Sequence, residues 1–414
     1  MKYIVLIGDG MSDLPLPQLK GKTPLEVAKT PNMDFIAQNG AAGWVNNVPY
    51  GMPPASDVAT MSIMGYDPKK YYTGRGPLEA ASLGVKLKKD EIAFRCNLVT
   101  VKDGRMKDFT AGHIGTPEAR KIIKALDKKI GCREFRFYPG LSYRHLLVVK
   151  DSVVSSAVRT TPPHDITGKK IKPYLPKGRG ADELLQLMNE SEVILHGMKT
   201  KATMIWPWSP GKTPAMPLFK KKYKKKAAII TAVDLLKGTG KILGFEVINV
   251  PGATGYLDTN YIGKAKYALR ALKKNDVVFV HVEAPDEAGH EGNVRKKIKA
   301  IEDFDKHVVG TVLKAIRIPG YPATRILVLP DHPTPIKYMT HTSDAVPFVM
   351  YPSPVALRPF DGTQGRQSSG QARHLSPVGA YNEKEIRKSK LRIKQGHDLL
   401  KMFLLNKKYF WPKI

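Results

Sequence analysis

Residues 277–290 read VVFVHVEAPDEAGH, and this stretch decides how the rest of the chain is interpreted. Its first six residues form a nearly continuous apolar run, which is typical of a parallel strand covered on both faces. Pro285 ends the strand because it has no backbone N–H to donate to a neighbouring strand. Asp286 and His290 follow, and their spacing places both side chains on one face if the segment turns helically. Both are ordinary ligands of Zn²⁺ or Mn²⁺, although a solvated loop with a chance Asp and His would look the same.

The same arrangement occurs twice more in the chain. The run YIVLIGDG ends at Asp9, and the run TRILVLPDH ends at Asp331 and His332, with His341 following in MTHTSDAVPF. Ligands of open α/β sheets bind beyond the carboxyl ends of the strands, so three such strands bring their polar residues to one place. We therefore predict a two-metal site formed by Asp9, Asp286, His290, Asp331, His332 and His341.

The size and composition are those of a globular enzyme. The chain has 414 residues, enough for two domains, of which 42% are hydrophobic and 25% charged. Its two cysteines, Cys96 and Cys132, are too few for a disulfide framework, so we expect a cytoplasmic location. Residues 3–7 are too short an apolar run for a secretory signal, and no stretch approaches the roughly 18 apolar residues of a membrane span. We therefore expect no membrane partner.

The positive charge is large and unevenly distributed. The net charge is +30, and residues 1–80 are neutral, with 7 Lys+Arg against 7 Asp+Glu. Residues 81–252 carry 33 against 15, a net +18, and residues 253–414 carry 27 against 15, a net +12. Such an excess favours anionic ligands, and it is also compatible with loose nucleic-acid binding. The densest run, Lys220 to Lys226, is interpreted as a solvated loop.

Ser56 has two possible roles. In PPASDVATMSIMGYDP it opens a helical pattern, so its hydroxyl is a candidate N-cap that accepts from free backbone N–H groups. Alternatively it is a nucleophile at a helix start, where an incoming phosphate is favoured and a nearby metal lowers the pKa of the hydroxyl. These residues alone leave both roles open. Arg75, between two glycines in YYTGRGPLEAAS, is either a phosphate contact or part of a plain turn.

The order of the elements predicts an inserted domain. The sheet that carries Asp9 must be completed by strands from beyond residue 275, so the α+β region between them is an insertion. We predict one domain formed by residues 1–80 and 253–414, with a second domain at 81–252. The insert contains the predicted strands IAFRCNLVTV and YRHLLVVK and an amphipathic helix at 117–130. In the tail we predict a flexible loop at 362–376 and a short helix at 396–406.

Nine segments carry a resemblance that extends over nearly the whole length. They are IGDGMSDLP, ASDVATMSIMGYDP, YYTGRGPLEAASLG, FRCNLVTV, AVDLLKGTG, VPGATGYLDTNY, HVEAPDEAGHEGN, AIEDFDKHVVG and PDHPTP. The chain resembles the archaeal type of cofactor-independent phosphoglycerate mutase, in the alkaline phosphatase superfamily. The implied fold class is α/β, an alkaline-phosphatase-like doubly wound sheet with an inserted second α+β domain that binds the substrate.

The resemblance implies an activity and a set of site residues. The activity is the interconversion of 2- and 3-phosphoglycerate in glycolysis and gluconeogenesis, without 2,3-bisphosphoglycerate. Ser56 is implied as the nucleophile that becomes phosphoserine. One metal is implied at Asp286, His290 and His341, and a second at Asp9, Asp331, His332 and Ser56. Substrate contacts carry over poorly from the family, and our candidates for them are Arg75, Arg95, Arg144, His164, Asp165 and Lys337. Two positions, His113 and Ala345, depart from the usual family pattern.

The cofactors expected are two divalent ions. Mn²⁺ is the first choice because mixed carboxylate and imidazole ligands suit it as well as they suit Zn²⁺, with Co²⁺ or Mg²⁺ as other candidates. Three alternatives to the mutase are another metal-dependent phosphatase or phosphotransferase, an inactive relative, and a basic nucleic-acid-binding module. The complete ligand set argues against the last two, so the expected partner is a small-molecule phosphoglycerate, with no specific nucleic acid. An oligomer is possible.

Overall fold

The computed structural model describes residues 1–352 and 378–404. The loop predicted at 362–376 and the last two residues of the helix predicted at 396–406 lie outside the described residues. The chain divides into two compact units, and each is described by itself. Unit 1 contains Met1–Tyr72 and the chain from Met216 onward, and unit 2 is Thr73–Ala215.

The described residues form thirteen strands. They are β1 (Lys2–Gly8), β2 (Ala41–Val45), β3 (Glu91–Lys102), β4 (Arg105–Asp108), β5 (Phe135–Leu141), β6 (Arg144–Lys150), β7 (Met204–Gly211), β8 (Ala227–Ile230), β9 (Glu246–Val247), β10 (Val277–Val282), β11 (Thr324–Leu329), β12 (Val346–Tyr351) and β13 (Arg392–Ile393).

The same residues form fifteen α-helices. They are α1 (Pro24–Val27), α2 (Pro31–Asn39), α3 (Ser56–Ile63), α4 (Pro68–Tyr71), α5 (Gly76–Leu83), α6 (Thr116–Ile130), α7 (Ala181–His196), α8 (Phe219–Tyr223), α9 (Asp234–Leu243), α10 (Tyr261–Ala271), α11 (Ala284–His290), α12 (Val294–Asp303), α13 (Gly310–Ile316), α14 (Glu383–Ile386) and α15 (Gly396–Leu404). A π-helical segment, Phe304–Val309, joins α12 to α13.

Unit 1 is built on one eight-stranded sheet in the order β13-β2-β12-β11-β1-β10-β8-β9. From β11 to β9 all neighbours are parallel, while β12 is antiparallel to both β11 and β2. The predicted strands at the start of the chain, at 277–282 and at 324–329 are confirmed. Alternate residues of β1 pack into opposite apolar layers, Ile4 and Leu6 on one side and Tyr3, Val5 and Ile7 on the other. The sheet is therefore covered on both faces, which confirms the predicted α/β class.

Unit 2 is an α+β unit with a five-stranded antiparallel sheet. The order β4-β3-β6-β5 forms the main path, and β7 pairs with the other edge of β3. Apolar residues of α6 and α7, such as Ile123 and Leu184, pack with Phe94 and Trp206 of the sheet in one core. The strands predicted around FRCNLV and YRHLLVV and the helix predicted at 117–130 are confirmed as β3, β6 and α6.

The boundaries of the insertion differ from the predicted limits of 81 and 252. α5 belongs to unit 2 because it lies directly on β3, where a Cβ on Gly76 would be 1.9 Å from the carbonyl oxygen of Ala93. At the other end, β8 and β9 belong to unit 1 because β8 pairs with β10 inside the large sheet. Unit 2 carries 26 Lys+Arg against 14 Asp+Glu, a net +12. Part of the charge assigned to the insert therefore belongs to unit 1, including the lysine run.

The lysine run is more ordered than the predicted solvated loop. Its first part forms α8, which ends at Tyr223. The ammonium group of Lys222 donates to the carbonyl oxygen of Gly65 and lies 4.3 Å from the centre of the Tyr66 ring. These contacts give Lys222 a packing role within unit 1.

The π-helical segment carries a carboxylate that caps a neighbouring helix. α2 begins at Pro31, and its N-cap residue, Thr30, makes no side-chain cap hydrogen bond. Asp305 replaces that cap, since its Oδ1 accepts from the backbone N–H of Met33 at 2.7 Å and its Oδ2 from that of Asn32 at 3.2 Å. Asp305 thus joins α2 to the α12–α13 helix across the core.

Asp305→Ala should lower the free energy of unfolding by about 2 kcal/mol, because it leaves one buried and one partly buried backbone N–H group without acceptors. The matched control is Lys306→Ala, which removes an exposed side chain from the same segment and should change the free energy by less than about 0.5 kcal/mol. Urea denaturation of the three proteins measures both values. Equal stabilities for Asp305→Ala and Lys306→Ala would contradict the capping role.

Candidate functional site

The carboxyl ends of three adjacent strands bring the predicted ligands together. β1 lies between β10 and β11, and all three run in the same direction. Asp9 follows β1, Asp331 and His332 follow β11, and α11 begins directly after β10. The six predicted side chains form two groups in which the possible ligand atoms lie within 4.8 Å of one another: Asp9, Asp331 and His332 in the first, and Asp286, His290 and His341 in the second.

The first group is fully enclosed. His332 Nε2 lies 3.6 Å from Asp9 Oδ1 and 3.4 Å from Asp331 Oδ2. Both of these carboxylate oxygens are buried and accept no hydrogen bond from the described residues. Burial and the negative charge of Asp331 raise the pKa of Asp9 well above its usual value. Two buried carboxylate oxygens beside an imidazole nitrogen fit a divalent cation, which would satisfy both of them.

Backbone groups aim Asp331 at this point. The N–H groups of Gly10 and His332 donate to Asp331 Oδ1 at 3.1 and 2.8 Å. The other oxygen, Oδ2, is thereby left facing His332 Nε2. Gly10 has a φ of +59°, and a Cβ there would lie 2.5 Å from Asp286 Oδ1. Only glycine allows both this backbone conformation and this close approach. The glycine after Asp9 therefore allows the two groups to adjoin.

The second group has the tautomers of a metal site. The Nε2 atoms of His290 and His341 are 2.9 Å apart, and Asp286 Oδ2 lies 3.2 Å from that of His290. The Nδ1 atoms face the carbonyl oxygens of Met339 and Pro54 at 3.0 and 3.1 Å. Because a carbonyl oxygen can only accept, each Nδ1 carries a hydrogen, and each Nε2 is the nitrogen that can bind a cation once it has no proton. Two Nε2 atoms and a carboxylate oxygen at this separation fit one shared cation, which would displace any proton held between them.

A proton competes with a cation for the second group. The hydrogen bond and charge of Asp286 raise the pKa of His290 to about 9. Burial would raise the pKa of Asp286, but the hydrogen bonds of His290 and His341 lower it well below its usual value. Cation binding here must therefore release a proton over the neutral pH range.

Ser56 belongs to the first group. Its helix-cap interpretation is wrong, because α3 begins at Ser56 itself and Ala55 takes the N-cap position without a side-chain hydrogen bond. The Ser56 hydroxyl instead lies 3.1 Å from His332 Nε2. A serine oxygen at the start of a helix, beside an imidazole and two carboxylates, is placed as a nucleophile would be.

Unit 2 contains a separate group of basic side chains near Trp208. The guanidinium carbons of Arg95 and Arg75 lie 4.7 and 5.8 Å from the centre of the Trp208 ring. The His164 ring is 5.4 Å from the same ring, and Arg144 is close enough that its charge lowers the pKa of Arg95. We name Arg75, Arg95, Arg144 and His164 the basic cluster. The structure thus brings together four of the six predicted substrate contacts.

The electrostatics of the basic cluster favour an anion. Burial and the charges of Arg75 and Arg144 lower the pKa of Arg95. The carboxylate of Glu79, whose Oε1 is 3.2 Å from Arg95 Nε, acts in the opposite direction and raises it. Burial and the charges of Arg75 and Arg95 likewise lower the pKa of His164. A bound carboxylate or phosphate would relieve this repulsion.

The other predicted contacts lie at the edge of the basic cluster or outside it. Asp165 is mostly exposed, with Oδ1 3.6 Å from His164 Nε2. Lys337 is exposed and belongs to unit 1, with its ammonium 5.6 Å from the centre of the Tyr338 ring. His113, with a φ of 52°, lines an open cavity of about 410 Å³ in unit 2 together with Lys199.

Comparison with known proteins identifies the family of this chain. Residues 37–200 match the family model of 2,3-bisphosphoglycerate-independent phosphoglycerate mutase. A relative of that name from Methanosarcina barkeri is 55% identical over 361 residues, which cover 85% of this chain and 90% of the relative. The chain belongs to this mutase family. A probable member from Geobacter sulfurreducens is 47% identical over 98% of this chain and 100% of its own length.

Solved structures agree with this assignment. A cofactor-independent phosphoglycerate mutase from Thermoplasma acidophilum is 27% identical over 98% of this chain and 100% of its own, with a TM-score of 0.62. A protein from Pyrococcus horikoshii is 28% identical over 99% of both chains, with a TM-score of 0.78. The resemblance inferred from the sequence motifs is confirmed, and the chain is an enzyme of the cofactor-independent phosphoglycerate mutase family. Among the described residues, no helix is long and apolar enough to cross a membrane.

The structure adds a residue that contacts both ligand groups and that sequence reasoning missed. Thr334 donates its hydroxyl hydrogen to Asp286 and lies 3.4 Å from His332 Nδ1, so it connects the two groups. The buried ammonium of Lys297 donates to the carbonyl oxygen of Thr334 and to Asp13 Oδ2, each at 2.7 Å. Thr334 lies within the motif PDHPTP, which was a usable signal, whereas a lysine in an amphipathic helix gives none.

Three further missed residues lie behind the first group. His281 Nε2 is 3.5 Å from Asp9 Oδ2, and its Nδ1 is 3.3 Å from Glu283 Oε1. The ammonium of Lys264 lies 2.5 Å from Glu283 Oε2, and all three side chains are buried. Burial would lower the pKa of His281, but the nearby carboxylates of Asp331 and Glu283 raise it to about 9. A His and a Glu at alternate positions of an apolar strand were the available signal.

The affinity of the second group for a divalent cation should increase with pH. Since the pKa of His290 is raised to about 9, its imidazole carries a proton at neutral pH that the cation must displace, and this competition ends above about pH 9. We expect an approximately tenfold gain in affinity per pH unit between about pH 6 and pH 8, with about one proton released per cation. Calorimetric titration in two buffers with different ionisation enthalpies measures both quantities. A pH-independent affinity without proton release would contradict this protonation scheme.

Proposed function

We propose that the chain interconverts 2- and 3-phosphoglycerate through a phosphoserine at Ser56, with a divalent cation at each of the two ligand groups. The observation that carries this proposal is the 3.1 Å contact of the Ser56 hydroxyl with His332, inside a group that also contains Asp9 and Asp331. Relatives with 47–55% identity that are named as 2,3-bisphosphoglycerate-independent mutases support the activity.

The side chains of unit 1 would hold the two cations in fixed positions. Asp9, Asp331, His332 and the Ser56 oxygen are proposed to bind one ion, and Asp286, His290 and His341 the other. When bound, these ions would neutralise the phosphate oxygens and lower the pKa of the Ser56 hydroxyl. Mn²⁺ is the ion proposed, because mixed carboxylate and imidazole ligands suit it. A cytoplasmic location is part of the proposal and is supported by the two cysteines, both of which are free.

The reaction consists of two phosphoryl transfers. In the first, the Ser56 hydroxyl loses its proton and its oxygen attacks the phosphorus in line, the bond from phosphorus to the glycerate oxygen breaks, and the glycerate oxygen takes up a proton. In the second, the other hydroxyl of the same glycerate attacks phosphoserine, loses its proton, and restores the Ser56 hydroxyl. Ser56 is rigidly placed for both steps because it is the first residue of α3, whose following residues are all buried.

The glycerate must remain bound between the two steps. If it left, water would hydrolyse the phosphoserine and the enzyme would act as a phosphatase. We propose that the basic cluster binds the carboxylate of the glycerate, since two arginines and a histidine are grouped there around one tryptophan ring, with the charge of Arg144 close by. Arginine suits this role because its planar guanidinium pairs with a carboxylate through two parallel hydrogen bonds.

Mutase activity should require a divalent cation and no 2,3-bisphosphoglycerate. The two groups contain three buried or nearly buried carboxylates whose charges need cations, and the chain has no RHG-type phosphohistidine motif. Conversion of 3- to 2-phosphoglycerate is measured after exhaustive chelation and again after addition of Mn²⁺. We expect activity to disappear and return. Full activity after chelation, or release of free phosphate in place of 2-phosphoglycerate, would contradict the proposal.

Ser56→Ala should abolish turnover, to less than about a thousandth of the wild-type rate, and leave the thermal midpoint within about 2 °C, because the hydroxyl caps no helix. Ser62→Ala is the matched control. Ser62 lies on the same helix, and its buried hydroxyl makes no hydrogen bond to described residues, so the control should retain full activity. Turnover and thermal midpoint are measured on the same preparations. Substantial activity in Ser56→Ala would contradict the nucleophile assignment.

Arg144→Ala should raise KM for 3-phosphoglycerate about tenfold or more and increase the fraction of turnovers that release free phosphate, because the glycerate is held less firmly. Arg136→Ala is the control, since Arg136 is an exposed unit 2 arginine paired with Asp127. Coupled assays for 2-phosphoglycerate and for free phosphate measure the ratio of the two products. If KM and the product ratio are unchanged in Arg144→Ala and also in Arg75→Ala, the proposal that the basic cluster binds the substrate is contradicted.

A further inference from the structure

A buried chain of charged side chains extends away from the first ligand group. His281, on β10, lies between the carboxylates of Asp9 and Asp331 on one side and that of Glu283 on the other. Its Nε2 is 3.5 Å from Asp9 Oδ2 and 3.8 Å from Asp331 Oδ2, and its Nδ1 is 3.3 Å from Glu283 Oε1. The imidazole has no exposed surface. Neither nitrogen makes a hydrogen bond to the described residues, and the carboxylate oxygens at 3.3 to 3.8 Å are the charged groups packed against them.

Glu283 is held from three directions. Its Oε1 accepts from the hydroxyl of Thr231 at 2.9 Å and from the backbone N–H of Ala232 at 2.7 Å. Its Oε2 lies 2.5 Å from the ammonium of Lys264, which also donates to the carbonyl oxygen of His281 at 3.0 Å. A carboxylate with this many donors cannot rotate freely, so it fixes the imidazole edge that faces it.

The geometry restricts the orientation of His281 as well. Carboxylate oxygens only accept hydrogen bonds, so contact with an imidazole nitrogen is favourable where that nitrogen carries a hydrogen. Rotating the ring about its Cβ bond would separate Nδ1 from Glu283 and Nε2 from Asp9 at the same time. The two acidic groups therefore hold the ring from opposite edges.

We propose that His281 is a positioning residue that holds the Asp9 and Asp331 carboxylates in their cation-binding orientation, and that Glu283 and Lys264 act by holding His281. The proposal rests on the proposed function, because it assumes that the first group binds a divalent cation. Asp9 and Asp331 repel each other, and an imidazole packed against both of them, with Nε2 at 3.5 and 3.8 Å, restricts their carboxylates without occupying the space between them. Residues that orient metal ligands in this way typically contribute about 10- to 100-fold to metal affinity.

The test is a Mn²⁺ titration of the full chain by calorimetry in a His290→Ala background, which removes a ligand from the second group so that the first group is measured alone. His281→Leu should weaken the affinity about 10- to 100-fold, and Glu283→Gln, which touches neither carboxylate, should weaken it by a smaller factor. The double variant should bind no more weakly than His281→Leu, because Glu283 acts through His281. Circular dichroism establishes that each protein is folded, and His281→Gln replaces His281→Leu should the latter not fold.

Lys266→Met is the matched control for Lys264→Met. Both remove an ammonium group from α10, but Lys266 is exposed whereas Lys264 is buried against Glu283, so only Lys264→Met should weaken binding. Unchanged affinity in His281→Leu, or independent and additive effects of His281→Leu and Glu283→Gln, would overturn the proposal while leaving the proposed function intact. If the parent His290→Ala protein and the unaltered protein both bind no Mn²⁺, the proposed function fails and the inference fails with it.

Discussion

The structure of unit 1 depends on negative charge that is buried at one edge of its sheet. Asp9, Asp331 and Asp286 come from the ends of three adjacent parallel strands, and two of their oxygens accept no hydrogen bond from the described residues. Isolated carboxylates in such a position would cost several kcal/mol each or take up protons. The site tolerates them because each ligand group also contains an imidazole nitrogen, and because the geometry suits a cation.

The surrounding structure is arranged to maintain this concentration of charge. Gly10 allows the two ligand groups to adjoin, and Thr334 connects them by its hydroxyl. Two buried lysines lie just outside, Lys297 against the loop after β11 and Lys264 beneath His281. Their positive charges offset part of the negative charge without competing for the cation positions. The serine that would accept the phosphoryl group lies at the start of a buried helix. Its position is therefore fixed by the packing of that helix in the core.

Features that depend on local sequence could be predicted, whereas those that depend on contacts between distant parts of the chain could not. The grouping of the six candidate ligands was predictable because each lies directly after an apolar strand or in the loop beyond it, and parallel strands end at the same edge. The unit boundaries were not, because the membership of α5 and β8 depends on pairing with strands far away in the chain. Lys264 and Lys297 were not predictable either, since a lysine in a helix normally faces solvent and only the packed fold buries it. The contact of Ser56 with His332 joins positions 276 residues apart, so the sequence left its role open until the family resemblance was considered.

The central claim is that two cations occupy the two ligand groups, and anomalous X-ray scattering from crystals of the Mn²⁺-loaded protein tests it most directly. The account predicts two strong peaks above the manganese absorption edge, one in contact with Asp9, Asp331, His332 and Ser56, and the other in contact with Asp286, His290 and His341. Both peaks should vanish below the edge. A single peak, or manganese bound at other residues while these six side chains remain paired only with one another, would contradict the account.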